Sequence, residues 1–490
     1  MKKLLWLFLS TTILFVNCKK NDDDLDPGGQ DPDPTADVVV EDFIWKALNL
    51  WYFWQDEVTD LGDNRFATSA TYTTYLEQFS NPEDLFDEVL FNEDRFSFII
   101  DDYEELVRAF AGISKSDGLE FGLVQFSDSD DVFGYVRYIV PNSDASTKDI
   151  ARGDLFTGVD GQTLNLNNYS QLLFGDNDTY TLNMADITND VITPNSEEVT
   201  LTKQEGLVEN PVFITNSFDI NGNKIGYLMY NRFTSNFDEE LNDAFGQLKA
   251  AGVTSLVLDM RYNPGGSVNT SRLLASMIRG TNTNDLYIRQ RWSSKIQPQL
   301  SAEQLEDYFA SATGDGSPIQ TLNLNTVYVL ATNSSASASE LVMNGLAPYV
   351  NVVHIGETTR GKNEFSITLV DIPDNSYVYN SSKENQINTE NSWGMQPLVG
   401  RNENADGFFD YTAGLTPNIE LREDFGNLGI LGDVNEPLLA RAIQEITGIA
   451  SKRDFTVRMP IKVLTSSKMH TTTKDNMYLD KELNLDINFQ

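Results

Sequence analysis

The stretch "TVYVLATNSSASASELVMNG", residues 326–345, joins three patterns without a break. Its first seven residues are mostly apolar and β-branched, which predicts a buried strand. Four serines follow within six positions, and "ELVMNG" then begins an apolar pattern with helical spacing. A strand that passes through a polar turn into a helix indicates an α/β domain.

The sequence before this stretch has the same alternation. We expect a strand in "KIGYLMYNRF" (224–233), an amphipathic helix in "FDEELNDAFGQLKAAG" (237–252) and a buried strand in "VTSLVLDM" (253–260). That strand leads into "RYNPGGS", where Gly265 and Gly266 allow the backbone to approach a ligand closely. The buried face of the predicted helix carries Leu241, Ala244, Phe245 and Leu248.

Two further regions precede the α/β pattern. Residues 39–110 predict a helical domain, with four apolar side chains on one face of its first helix: Ile44, Leu48, Trp51 and Tyr52. Residues 112–206 predict short strands separated by turn residues, and "YSQLLFG" (169–175) is one of these segments.

The order of segments in residues 112–206 resembles a PDZ domain. The most specific part of the match is "RGDLFTGVDGQ" (152–162). The resemblance implies that "GLEFGLV" receives the C-terminus of a peptide as an added strand, with Leu119, Phe121, Gly122 and Leu123 as peptide-binding residues. Glu120 departs from the usual loop because it brings a negative charge to the place of the peptide's carboxylate.

Composition limits the classes of partner. A chain of 490 residues is expected to contain several domains, and its 40% hydrophobic content is ample for their cores. The net charge of -38 argues against nucleic acid as a partner, since the surface repels phosphate.

The N-terminus predicts export. Residues 1–17 have two lysines and then an apolar run too short to span a bilayer, which is typical of a signal peptide. Cys18, the sole cysteine, follows directly and is interpreted as a lipid attachment point, and residues 18–38 as an acidic, disordered tether. We therefore expect an extracytoplasmic protein anchored by lipid to the bacterial cell envelope, and the acidic run resembles the surface-export signals of some lipoproteins. The alternative is an ordinary secretory signal with an incidental cysteine, because Phe15 and Asn17 depart from the usual lipobox.

The small number of histidines limits the kinds of catalytic site that the chain can form. Only His354 and His470 are present, there is no HExxH motif, and the usual metallohydrolase sites need at least two imidazoles. A serine nucleophile would therefore need another base, such as a buried lysine, and the candidate is Lys362 in "GETTRGKNEF". Physical reasoning alone does not choose among Ser335, Ser337 and Ser339, and serines at a helix start can simply be caps.

Three motifs together resemble those of the C-terminal processing, or tail-specific, peptidases: "LVLDMRYNPGG" (256–266), "SASASE" (335–340) and "GETTRGKN" (356–363). The later "DYTAGLTPNIEL" resembles the family's closing segment, and the match extends over roughly residues 40–450. The resemblance implies a crotonase-like α/β core at residues 211–450, with the PDZ domain between it and the helical domain. It implies serine-type cleavage of proteins or peptides with no cofactor and no metal.

Carried over by position, the resemblance makes Ser337 the nucleophile and Lys362 its general base. The amides of Gly265, Gly266 and Ala338 would form the oxyanion hole. Two positions depart from the family pattern, Pro348 in place of an acidic residue and Ser366 in place of a glutamine, so the residue that orients Lys362 is unassigned. Residues 451–490, the oligomeric state and the physiological substrate receive no interpretation.

Two other functions remain compatible with the sequence. One is a non-catalytic, lipid-anchored PDZ protein on a decayed peptidase scaffold. The other is a different enzyme on the same core, such as an esterase or acyl transferase, since fold alone does not fix the reaction.

Overall fold

A computed structural model describes residues 38–450, 453 and 455–481. The predicted signal peptide, Cys18 and nearly all of the predicted tether lie outside the described residues. Among the described residues, none of the helices combines the length and apolar character that crossing a bilayer requires.

The N-terminal region is mainly helical, as its periodicity predicts, and Ile44, Leu48, Trp51 and Tyr52 are all buried. These helices share one hydrophobic cluster with the helices of the α/β region instead of enclosing a separate core. One strand was not expected, and it pairs with a strand almost 300 residues further along the chain. The elements are α1 (Val39–Trp51), α2 (Ser69–Leu76), α3 (Pro82–Glu88), β1 (Phe98–Ile100) and α4 (Tyr103–Phe110).

Residues 113–208 form a β module with its own hydrophobic cluster. The segment predicted as a strand at residues 169–175 is instead a helix, because Tyr169, Leu172 and Leu173 have helical spacing and pack together on the sheet. The elements are β2 (Ile113–Ser116), β3 (Leu119–Gln125), β4 (Val132–Ile139), β5 (Leu155–Val159), β6 (Gln162–Thr163), α5 (Tyr169–Phe174), β7 (Thr179–Thr188), β8 (Val191–Thr202) and β9 (Gln204–Val208).

The α/β region begins with β10 (Val212–Ile220), β11 (Asn223–Tyr230), α6 (Asp238–Ala250) and β12 (Ser255–Asp259). The predicted inner face of α6 is buried at all four positions. The remaining elements of the region are β13 (Gly266–Ser267), α7 (Val268–Arg279), β14 (Leu286–Trp292), α8 (Ala302–Leu305), β15 (Glu306–Tyr308), β16 (Thr326–Ala331), α9 (Ala338–Leu346), β17 (Asn351–Gly356), β18 (Glu364–Ser366), β19 (Leu369–Val370), β20 (Gly394–Gln396), β21 (Leu398–Asn404), β22 (Ile419–Glu420) and α10 (Pro437–Thr447).

The central sheet has the strand order β10-β11-β12-β16-β17-β22. The pairings from β11 through β22 are all parallel, so the loops that follow β12, β16 and β17 leave the same edge of the sheet. These loops carry the double glycine, the serine cluster and the Gly-Lys turn. The serine turn and the lysine turn therefore lie at the same edge of the central sheet.

The C-terminal segment after residue 455 is part of the fold, although its sequence is polar. It contains β23 (Thr465–Ser466), a 3₁₀ turn at Ser467–His470 and β24 (Met477–Tyr478). The first strand extends the sheet of the β module, and the second lies between β13 and β18 in a six-stranded sheet of order β13-β24-β18-β21-β14-β15.

Candidate active site

Ser337 lies at the N-terminal end of α9, where β16 leads into the helix. Its φ of 64° is in the left-handed region, which non-glycine residues rarely adopt, so the turn is strained. The side chain is buried, and among the described residues its Oγ has no hydrogen-bond partner. The neighbouring serines have structural contacts, since Ser335 Oγ donates to Met260 O and Ser339 Oγ donates to Asn263 O.

The double-glycine turn packs directly against Ser337. A Cβ atom on Gly265 would lie 2.5 Å from Ser337 Cβ and 2.7 Å from its Oγ, so no larger residue fits there. The Ala336 amide donates to Asn263 O, which links the serine loop to the glycine turn. The loops after β12 and β16 are thus held in direct contact.

Lys362 lies after β17 and is buried with Ser337 in the same part of the molecule. Burial lowers the pKa of its ammonium group to about 8, although the nearby carboxylates Asp475, Glu364 and Asp94 oppose this shift. The Nζ atom lies 4.9 Å from the centre of the Phe96 ring and donates to Asn476 Oδ1 at 3.4 Å. The N-terminal region and the C-terminal segment therefore both contribute to the surroundings of Lys362.

Glu340 joins the serine and lysine loops. Its carboxylate accepts hydrogen bonds from the Ser337 amide at 2.8 Å and from the Gly361 and Lys362 amides at 2.7 and 2.9 Å. The Thr359 hydroxyl donates to the same carboxylate. Burial raises the pKa of Glu340 to about 7, and these donors oppose the shift.

The residues predicted for an oxyanion hole all lie around Ser337, but they differ in whether their backbone amides are free to donate a hydrogen bond to a substrate. The Gly265 amide donates to Asn263 Oδ1 at 2.9 Å, so it is already engaged. Ala338 is the first residue of α9, and its amide has no acceptor within the helix. Gly266 pairs with Met477 through β13 and β24. The oxyanion hole thus stays a prediction, and Ala338 is the donor whose amide its position at the helix start leaves available.

Among the described residues, no hydrogen bond joins Ser337 Oγ to Lys362 Nζ, and neither histidine bonds to Ser337. His354 is in β17, where its Nε2 contacts Ala331 O. His470 stacks on Phe174 of the β module, with ring centres 3.7 Å apart. The described residues also contain no cluster of three or more acidic, histidine or cysteine side chains that could hold a metal ion.

The two positions that depart from the family pattern have different surroundings in the structure. Pro348 follows the end of α9, so no acidic side chain from that position reaches the lysine. Ser366 donates through its Oγ to Asn476 Oδ1 at 2.8 Å, and the same oxygen accepts from Lys362. Asn476, which no sequence signal indicated, thus lies at the place of the unassigned partner of Lys362.

A buried charged network supports the turn after β12. Arg261 is fully buried and bonds Asp259, Glu423 and Glu436. Arg152, in the PDZ-like motif of the β module, donates to Glu423 and to the Tyr262 hydroxyl. The β module is therefore joined to the loop that carries the double glycine.

The predicted peptide-binding edge of β3 is occupied by the chain itself. β23 pairs antiparallel with β3, with Thr465 opposite Leu123 and Ser466 opposite Gly122. Leu119, Phe121 and Leu123 are buried in the core of the module. No pattern in the sequence predicts that residues after 450 reach this edge.

Comparison with known proteins agrees with this geometry. Residues 224–396 match the sequence profile of peptidase family S41, and residues 40–98 match that of the peptidase S41 N-terminal domain. Together the two matched regions cover a little under half of the chain. The α/β core with Ser337 and Lys362 and the helical N-terminal region thus both resemble the same family.

Curated relatives include processing proteases. The chain is 27% identical over 186 residues to a carboxyl-terminal-processing protease of Picosynechococcus, covering 38% of this chain and 40% of that protein. It is 28% identical over 289 residues to a chloroplastic C-terminal processing peptidase of Tetradesmus obliquus, covering 56% of each. The chain thus spans about half the length of these relatives or less.

A solved structure extends the likeness of the fold. A putative S41 protease from Bacteroides fragilis superimposes with a TM-score of 0.64 at 26% sequence identity. The superposition covers 83% of this chain and 97% of that protein. The S41-like mixed α/β fold therefore extends well beyond the two matched regions.

Proposed function

We propose that this S41-family protein is a serine-type endopeptidase that cleaves extracytoplasmic proteins or peptides with a Ser337–Lys362 dyad. The observation that carries the proposal is the shared carboxylate of Glu340, which binds the backbone of both residues. An unbonded serine hydroxyl and a buried lysine, whose pKa lies near 8, are thereby held in adjoining loops. This combination supplies a nucleophile and a base without histidine.

In the proposed reaction, neutral Lys362 takes the proton from Ser337 Oγ as this oxygen attacks the peptide carbonyl carbon. The tetrahedral oxyanion collapses, the C–N bond breaks, and the Lys362 ammonium protonates the leaving amine. Lys362 then takes a proton from water, which attacks the ester, and Ser337 leaves with that proton. The amides of Gly266 and Ala338 are the proposed oxyanion donors.

The dyad must tighten for this chemistry, because Ser337 Oγ and Lys362 Nζ are not hydrogen-bonded in the described structure. Catalytic hydrogen bonds often become short only in the substrate complex. Asn476 assists by accepting one N–H of Lys362. A carbonyl oxygen can only accept, so this contact directs the lysine lone pair away from Asn476.

The proposal includes the setting of the enzyme. Cys18 would carry the lipid that anchors the protein to the cell envelope, and the PDZ-like β module would hold substrate segments. The names of the two processing peptidases compared above describe carboxyl-terminal processing, which supports peptides as the substrate class.

The test is cleavage of a fluorescently labelled unfolded protein by the mature chain. We expect Ser337→Ala and Lys362→Ala each to reduce the rate by roughly 1,000-fold or more, because each removes one half of the dyad. Two controls, Ser339→Ala within the same motif and Lys462→Ala on the surface, should keep measurable activity. Equal cleavage by all variants would overturn the dyad, and no cleavage by any would favour the non-catalytic binding protein.

A further inference from the structure

The groove between β3 and α5 is filled by residues 464–470, which we call the internal ligand. The Leu464 amide donates to Leu123 O at 2.8 Å, and β23 then continues along β3 in antiparallel register. This is how an extended peptide adds to an exposed sheet edge. The edge of β3 is thus unavailable to a second strand while the internal ligand is in place.

The internal ligand also takes the position where a bound peptide would end. Ser467 lies beside Glu120 and Phe121 near the start of β3, where its Oγ accepts from the Phe121 amide at 3.1 Å. The same hydroxyl donates to Glu120 Oε2 at 2.6 Å. A free carboxylate could accept from the amide but could not donate to Glu120, and it would be repelled by that side chain.

The next residue supplies a positive charge. Lys468 is buried, and its Nζ donates to Asn231 O at 2.9 Å and lies 3.8 Å from Glu209 Oε1. Glu120 and Glu209 are the acidic groups that face this ammonium, and Arg232 and Arg137 are nearby cations. The chain then places the His470 ring flat on Phe174, which itself stacks on Phe121.

We propose that residues 464–470 are a self-ligand that closes this groove, and that the groove selects an internal Ser-Lys segment over a free C-terminus. This inference rests on the proposed function. It gives the enzyme a substrate-recognition site that the protein's own residues 464–470 must leave before a substrate can bind. A substrate segment with a small hydroxyl residue followed by a basic residue satisfies the same partners, because it donates to Glu120 and neutralises the Glu120–Glu209 pair.

The experiment uses the mature chain with Ser337→Ala, so that binding is measured without cleavage and does not depend on whether the dyad is catalytic. The probe is a fluorescein-labelled, C-terminally amidated peptide with the sequence VLTSSKMH, which copies residues 463–470. Fluorescence anisotropy gives its Kd. The test variant is Lys468→Gln. The matched control is Lys462→Gln, which removes an exposed lysine two residues before the internal ligand.

We expect the Lys468→Gln protein to bind the probe at least tenfold more tightly than its parent, because the weakened self-ligand leaves and the probe restores the lysine. Lys462→Gln should bind as the parent does. Ser467→Ala is a second opening variant, that is, one that weakens the internal ligand, and it should also bind the probe more tightly than the parent. Thermal unfolding checks that each protein is folded. Equal Kd values for parent and both opening variants would overturn the proposal.

A second probe tests the selectivity. The peptide VLTSS with a free carboxylate ends where Ser467 lies, beside Glu120 of β3. We expect it to bind the Lys468→Gln protein at least tenfold more weakly than the longer probe. Equal or tighter binding of the free carboxylate would overturn the preference for an internal segment.

Discussion

At the scale of single residues, the surroundings of Lys362 decide whether it can act as a base. Phe96 from the N-terminal region and Asn476 from the C-terminal segment both contact its ammonium group. Burial makes the neutral form accessible near pH 8, whereas an exposed lysine would stay protonated. The base therefore depends on two segments that are distant from it in the sequence.

This arrangement predicts the pH dependence of activity. The rate should rise from pH 6 to pH 9 with a midpoint near the lysine pKa of about 8, because only the neutral amine accepts the proton of Ser337. Asn476→Asp should move the midpoint upward by about one unit, since a carboxylate beside the ammonium favours the charged form. Asn476→Ala should lower kcat by roughly tenfold and leave KM nearly unchanged.

The measurement is the pH profile of kcat on a labelled peptide. Asn167→Asp, an exposed substitution of the same type in the β module, is the control and should leave the profile unchanged. A midpoint unaffected by Asn476→Asp would contradict the proposed contact with Lys362.

At the scale of secondary-structure elements, three strand–loop units build the site. β12, β16 and β17 are adjacent and parallel, so their following loops meet at one edge. The glycine turn after β12 must pass close to both Ser337 and Phe233. A Cβ atom on Gly266 would lie 2.1 Å from Phe233 O, and its φ of 137° also disfavours a side chain.

The close approach predicts a strong difference between two glycine substitutions. Gly266→Ala should reduce activity by roughly 100-fold or more, because the turn beside Ser337 must shift to relieve the contact with Phe233. Gly246→Ala, within α6, should keep activity and raise the free energy of unfolding by roughly 0.5–1 kcal/mol, because alanine favours a helix more than glycine. Its Cβ would have only Gln320 Cγ nearby, at 3.5 Å.

Peptide cleavage and thermal unfolding measure both effects. Full activity in a folded Gly266→Ala protein would show that the turn does not define the site.

At the scale of the whole molecule, charged contacts join regions that are separate in sequence. Arg152 of the β module and Arg261 of the α/β region share the buried carboxylate of Glu423. Burial alone would raise the pKa of Glu423, but the two guanidinium groups overcome this influence and hold it at about 2. The ionised carboxylate therefore stabilises the folded arrangement of both regions.

This network predicts sensitivity to acid. Glu423 is ionised more readily in the folded state than in the unfolded state, so its stabilisation is complete above about pH 4.5 and is lost as the pH falls toward 2. Glu423→Gln should lower the free energy of unfolding at pH 7 by roughly 3 kcal/mol and flatten its pH dependence between these values.

Denaturant unfolding at several pH values tests this expectation. Glu420→Gln changes an exposed carboxylate nearby and should have no measurable effect. An unchanged pH dependence in Glu423→Gln would place the acid sensitivity elsewhere.

Local patterns in the sequence were sufficient to predict the secondary structure of the central part of the molecule. Alternating apolar strands and amphipathic helices have periods set by backbone geometry, so β11, α6, β12 and β16 were predictable. The meeting of the loops that carry Ser337 and Lys362 also followed, because parallel strands of one sheet have their carboxyl ends at the same edge. Ser337 itself was singled out only by resemblance to a family, since helix capping explained each serine equally well.

Local sequence patterns were thus enough to predict the α/β core and the adjoining serine and lysine loops. Three features became visible in the folded chain alone: α5 is a helix, Glu340 joins the two loops, and residues 464–478 run from the groove of the β module to Lys362. The reason is that polar side chains such as Asn476 and Ser467 have no periodic signature. Their burial depends on partners more than 100 residues away in the chain, which only the folded molecule brings together.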